Sequence, residues 1–240
     1  MLRLLPVALA ALLALPATAQ GRALGLLGGG TTVSIGVGGR SLDTDALAAA
    51  LAADGYGTLE ASGVWTTVAT EVGLGRLAVG LDRSALRRAE VDGGARLATF
   101  DAEATVFRLG ARVRAGRARL TPTLDLGVGR TEVGLRDGPP PLDVEDVFAD
   151  PAQGESLVAR TPLVGASLGV SLPLGGRRGG RRAARRVGPS LVLGARAGYL
   201  AALGDADWRT DDGFALVGGP EATLAGPYAR LSLGLSFGRR

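Results

Sequence analysis

The chain closes on a run of strict alternation. In Tyr228-Ala-Arg-Leu-Ser-Leu-Gly-Leu-Ser-Phe237, apolar Ala229, Leu231, Leu233, Leu235 and Phe237 alternate with Tyr228, Arg230, Ser232, Gly234 and Ser236. Successive side chains of a strand point to opposite faces, so this segment has one apolar face and one small, polar or charged face. A helix would scatter both sets around its circumference. The chain must therefore fold so that the two faces of its strands meet different surroundings.

The same period of two marks seven earlier segments. They are residues 31–40 (Val33, Ile35, Val37), 62–73 (Val64 to Val72), 75–83 (Leu77, Val79, Leu81), 96–114, 117–134 (Leu120 to Val128), 160–174 (Val164 to Leu172) and 187–201 (Leu191 to Tyr199). In the fourth, Phe100, Ala102, Ala104 and Val106 share a face, and the phase then switches to Leu109, Ala111 and Val113, which predicts a bulge. The links alternate in length. Short turns are expected at Gly73-Leu74-Gly75 and Ala115-Gly116-Arg117, and long links at 41–61, 84–95, 135–159 and 202–222. Eight strands with short turns at one end and long loops at the other follow the pattern of an antiparallel up-and-down barrel, the all-β fold expected here. In the first long link, Asp43, Thr44 and Asp45 precede an alanine-rich run that Gly55 ends, predicting one short helix over 44–53 with Leu47 and Leu51 on one face.

Residues 1–19 read as a secretory signal. Arg3 precedes an apolar run from Leu4 to Leu15, then Pro16 and Ala17-Thr18-Ala19. Cleavage is expected after Ala19, leaving 20–240 as a single domain. The run is short of the ~20 apolar residues of a spanning helix. With no Cys, a lipid anchor on a cysteine and a disulfide framework are both excluded. The 39 glycines recur inside the alternating segments, which suits curved strands and close turns. The sequence pI near 10.5 suggests nucleic acid, but Arg177, Arg178, Arg181, Arg182, Arg185 and Arg186 crowd into one link between apolar strands. A solvated turn explains them, and no nucleic-acid partner is expected.

If the apolar face meets lipid, the other face lines the lumen. The expected luminal set is Glu71, Arg76, Asp82, Asp101, Glu103, Arg108, Arg119, Asp125, Arg196 and Arg230. An eight-stranded barrel is just wide enough to be filled by side chains. Charges enclosed there must pair, so these residues are read as luminal ion-pair candidates. A soluble exported β-sandwich binding module is the alternative, and a narrow pore a further one.

Leader, loop alternation and closing strand together resemble the small eight-stranded bacterial outer-membrane β-barrels of OmpA/OmpX architecture. The resemblance covers residues 31–237 and is one of pattern. It implies an outer-membrane location, outer-membrane lipid around the wall, and Tyr228, Gly234, Leu235 and Phe237 as the signal read by the barrel-assembly machinery. The chain departs from the pattern in continuing past Phe237 with Gly238-Arg239-Arg240, and in its few aromatics. Any extracellular partner is left open.

The chain contains no His, so the His-dependent acyltransferase, lipase and protease mechanisms known on such barrels cannot be carried over, and a His/Cys zinc site is excluded. Asp101 and Glu103 are spaced for acid–base work but read as ion-pair partners. Asp143, Glu145, Asp146 and Asp150 read as a solvated acidic loop without EF-hand spacing. No catalytic residue, cofactor or metal is expected, and the function expected is structural, adhesive or envelope-stabilising.

Overall fold

Neighbouring strands pair in sequence order, and the last returns to the first. The computed structural model describes residues 30–57, 59, 63–92, 96–137, 154–174, 189–210, 213–216 and 219–237. The strands are β1 (Thr31–Arg40), β2 (Val64–Leu74), β3 (Leu77–Asp92), β4 (Arg96–Ala111), β5 (Val113–Ala115), β6 (Ala118–Asp137), β7 (Gly154–Pro173), β8 (Ser190–Ala202), β9 (Asp207–Thr210) and β10 (Gly226–Phe237), with helix α1 (Asp45–Ala53) after β1. β4 and β5 keep one register on β6, with Gly110 opposite Thr123 and Val113 opposite Leu120, so they act as one wall strand. β10 pairs with β1 from Phe237 opposite Thr31 to Tyr228 opposite Arg40. The chain is a closed eight-stranded antiparallel barrel. That closing pair corrects the sandwich alternative, because two stacked sheets would keep free edges.

Outside, the wall carries exposed apolar side chains, among them Val33, Ile35 and Val37 on β1, Val64 and Val68 on β2, Leu124, Leu126 and Val128 on β6, Leu191 and Leu193 on β8, and Leu231, Leu233 and Leu235 on β10. These are the alternating apolar sets of the sequence. At one end two connections are tight, those from β2 to β3 and from β5 to β6. Gly75 (φ 63°) and Gly116 (φ 62°) adopt the left-handed conformation that a side chain resists, and each opens a two-residue turn with Arg76 or Arg117. The first turn therefore lies past Gly73 and Leu74, which belong to β2.

The long-loop end departs further from expectation. Residues 84–95 are mostly strand rather than link: β3 runs to Asp92 and β4 begins at Arg96. β6 and β7 also outrun the apolar segments, and β9 takes β8's place beside β7 after a detour at 203–206. In this extension the faces exchange character. Phe100, Ala102, Ala104, Val106 and Val133 are buried inside, while Glu103 and Arg130 stand on the outer face. The bulge expected after Val106 is absent, since β4 and β6 stay in register from Arg96 opposite Asp137 to Gly110 opposite Thr123. The apolar residues change side because the surroundings change along an unshifted strand. The register break that does occur lies in β3, between Leu86 and Ala89.

Helix α1 fills this end. Its run matches the alanine-rich segment, and Leu47 and Leu51 are buried with Tyr56, Trp65, Phe100, Leu163, Leu200, Trp208 and Leu224 in one apolar plug. Thr44 precedes the helix without a side-chain capping bond, and Gly55 (φ 83°) follows its end. A nine-residue helix is marginal alone. Burying two leucines, worth roughly 1.5–3 kcal/mol each, holds it in place. A two-bond bridge between Asp43 and Thr223 ties its entry to the segment before β10.

The leader, Asp143 to Asp150 and the arginine run at 177–186 lie outside the described residues.

Candidate functional site

Below the plug, the barrel interior holds a polar network. Its members come from alternate positions of β1, β2, β3, β4, β6, β7, β8 and β10, with Arg112 from the junction of β4 and β5, because inward parity selects every second residue. Nearest the short-turn end, Glu71 accepts from Arg112 Nη2 at 2.8 Å and from its Nε at 3.2 Å. Arg196 Nη2 approaches the other oxygen of Glu71 at 3.5 Å. Arg196 Nη1 donates to Thr123 Oγ1 at 3.1 Å and Ser167 Oγ at 2.9 Å, and these two hydroxyls bond each other at 2.7 Å.

Further in, Asp125 is fully buried, with 0% exposure. It accepts from Thr123 Oγ1 at 2.8 Å and from the Tyr228 hydroxyl at 3.0 Å. Asp82 takes two guanidiniums: Arg230 Nη2 at 2.6 Å on one oxygen and Arg108 Nη2 on the other. At the border with the plug, Arg40 lies between two rings, its Cζ 4.9 Å from the Trp65 centroid and 5.4 Å from that of Tyr228.

Glycine makes room for the arginines. A Cβ on Gly169 would sit 2.6 Å from Arg196 Nη2, one on Gly80 would sit 3.3 Å from Arg108 Nη2, and one on Gly73 would collide with Arg112. Inward glycines thus provide the space in which long cations cross a narrow bore.

Of the residues expected in the lumen, Glu71, Asp82, Arg108, Asp125, Arg196 and Arg230 meet in this network. Four do not. Arg76 stands exposed in the β2–β3 turn, one step short of the strand expected to carry it inward. Asp101 and Glu103 alternate with buried Phe100, Ala102 and Ala104, and so lie on the outer face. Glu103 there pairs with Arg83 at 2.9 Å, which answers the acid–base reading of the two carboxylates with an exposed ion pair. Arg119 has inward parity but is exposed at the short-turn rim, and it forms no salt bridge among the described residues.

Sequence reasoning missed Arg112, Arg40, Trp65, Thr123 and Ser167. Arg112 was legible: Leu109, Ala111 and Val113 form one apolar face, and alternation puts Arg112 with Arg108 on the other. Tyr228, part of the expected C-terminal signal, also serves the network through its hydroxyl. Gly234 is packed tightly, since a Cβ there would meet the Val33 carbonyl oxygen at 2.6 Å.

No family model matches the chain, and no curated protein matches it. Solved structures do. The chain is similar to a major outer membrane protein from Thermus thermophilus (13% identity, 86% of this chain and 98% of that one, TM-score 0.44). It is similar to Neisserial surface protein A (10% identity, 88% and 96%, TM-score 0.37). It is also similar to the translocator domain of the autotransporter NalP from Neisseria meningitidis (13% identity, 92% and 95%, TM-score 0.33).

Proposed function

We propose that this chain is a non-catalytic outer-membrane β-barrel whose closed interior serves a structural, adhesive or envelope-stabilising role. The observation that carries the reading is the double inversion of the wall. Over the short-turn half, apolar side chains face out and charges face in; Ile35 and Leu124 are each 68% exposed. A soluble barrel would reverse this arrangement, and exposed apolar patches of such extent mark a membrane or partner surface. At the long-loop half the order returns to that of a water-soluble protein, with Phe100 inside and the Arg83–Glu103 and Arg130–Glu132 pairs outside. Lipid around the first half and water around the second account for both. Export through a leader cleaved after Ala19, and folding by the barrel-assembly machinery reading Tyr228, Gly234, Leu235 and Phe237, belong to the same proposal.

The interior supports a closed lumen rather than a pore. The apolar plug and the ion-pair network occupy successive levels of the bore, and breaking a pair would leave a buried charge. Two measurements test the proposal. The protein should fractionate with outer membranes and show heat-modifiable gel mobility, and purified barrels should give no steady channel in planar bilayers. Recovery in a detergent-free soluble fraction would overturn the location; a large steady conductance would overturn the closed lumen.

A further inference from the structure

The upper part of the luminal network carries more positive charge than its acids balance. Asp82 is the carboxylate bonded there to both Arg108 and Arg230, and Arg40 stands beside them with aromatic rings as its neighbours. Three guanidiniums thus gather about one carboxylate. The next acid, Asp125, is already bonded by Thr123 and Tyr228. Buried donors are also left over. Arg40 Nη1, Trp65 Nε1, and Arg108 Nε and Nη1 have no hydrogen-bond partner among the described residues. Trp65 is only 3% exposed, and a buried indole N–H ordinarily finds an acceptor.

Arg40, Trp65, Asp82, Tyr228 and Arg230 line one small cavity of about 20 Å³ at the floor of the plug. About 10–15 Å³ admits one water-sized particle, so this space takes a small ion. Gly38 is also on its wall, and its backbone lies against Ala229 and Arg230 so tightly that no Cβ fits. We infer that this cavity is a binding site for a small monovalent inorganic anion of the halide class, held by Arg40 and the Trp65 indole N–H and balancing the excess luminal charge. A neutral water would satisfy donors but leave the charge uncompensated, and unpaired buried charge is the costlier defect.

The site can be read through Trp65, because the chain has two tryptophans and Trp208→Phe leaves Trp65 as the remaining one. The full-length mature protein with that substitution is refolded in detergent and titrated with bromide, a heavy-atom quencher. The expected result is saturable quenching of Trp65, competed by chloride and untouched by gluconate at equal ionic strength. Arg40→Gln should raise the bromide midpoint about tenfold or more, as loss of a charged hydrogen bond implies. Should Arg40→Gln fail to fold, thermal melting of the unmutated protein decides: chloride and bromide should raise the midpoint above that in gluconate. Quenching that does not saturate, an unchanged bromide midpoint in Arg40→Gln, or equal melting in all three salts would overturn the inference and leave water in the cavity.

Discussion

Asp82 and Glu103 are both acids paired with arginine on adjacent strands, and their surroundings separate them. Asp82 lies buried between Arg108 and Arg230, whereas the Glu103–Arg83 pair has side chains 40% and 67% exposed. Removing one member of a buried pair strands the other charge, so Asp82→Ala should destabilise the barrel by about 3–5 kcal/mol. Glu103→Ala should cost about 1 kcal/mol or less. Urea unfolding in detergent, followed by gel mobility, measures both; equal losses would contradict the luminal placement of Asp82. The glycines divide in the same way. A Cβ at Gly80 would meet its neighbours at 3.2 Å or beyond, but one at Gly234 would meet the Val33 carbonyl oxygen at 2.6 Å, and backbone cannot swing aside. Gly80→Ala should fold, whereas Gly234→Ala should lower the folded fraction recovered from membranes.

At the scale of elements, α1 depends on what it covers. Nine residues with no side-chain cap do not hold a helix in water, and Leu47 and Leu51 bind it to the plug. Leu51→Asp should therefore release the helix without opening the wall, because the eight wall strands keep their ladder bonds. Limited proteolysis should then cut within 41–63 while the remaining barrel keeps its heat-modifiable mobility. Loss of that mobility would mean that the plug also holds the wall together. β4 shows the related ambiguity of pattern. Its apolar residues swap faces between Val106 and Leu109 while its register on β6 is continuous. A bulge and a change of solvent leave the same mark in a sequence, and the strand pairing tells them apart.

For the whole molecule, the two zones of the outer wall set what substitutions it tolerates. Leu233 is exposed in the apolar belt, and Ser232 faces the interior of the same strand. An arginine on the lipid face of such a barrel costs roughly 2–4 kcal/mol near the bilayer midplane. Leu233→Arg should therefore yield less folded, membrane-extracted protein than Ser232→Arg; equal yields would speak against lipid around this belt. Period-two alternation and turn glycines determined the eight strands and the identity of their apolar faces, because these are properties of local backbone geometry. The helix at 44–53 was legible for the same reason, from alanines and a closing glycine. Glu71, Asp82, Arg108, Asp125, Arg196 and Arg230 followed from parity alone. Parity names a face but does not say whether that face looks inward or outward at a given height. That choice, which moved Asp101 and Glu103 outside, depends on how far each strand runs past the apolar belt. Strand length and closure are set by partners far away in the chain, so only the tertiary structure decided them.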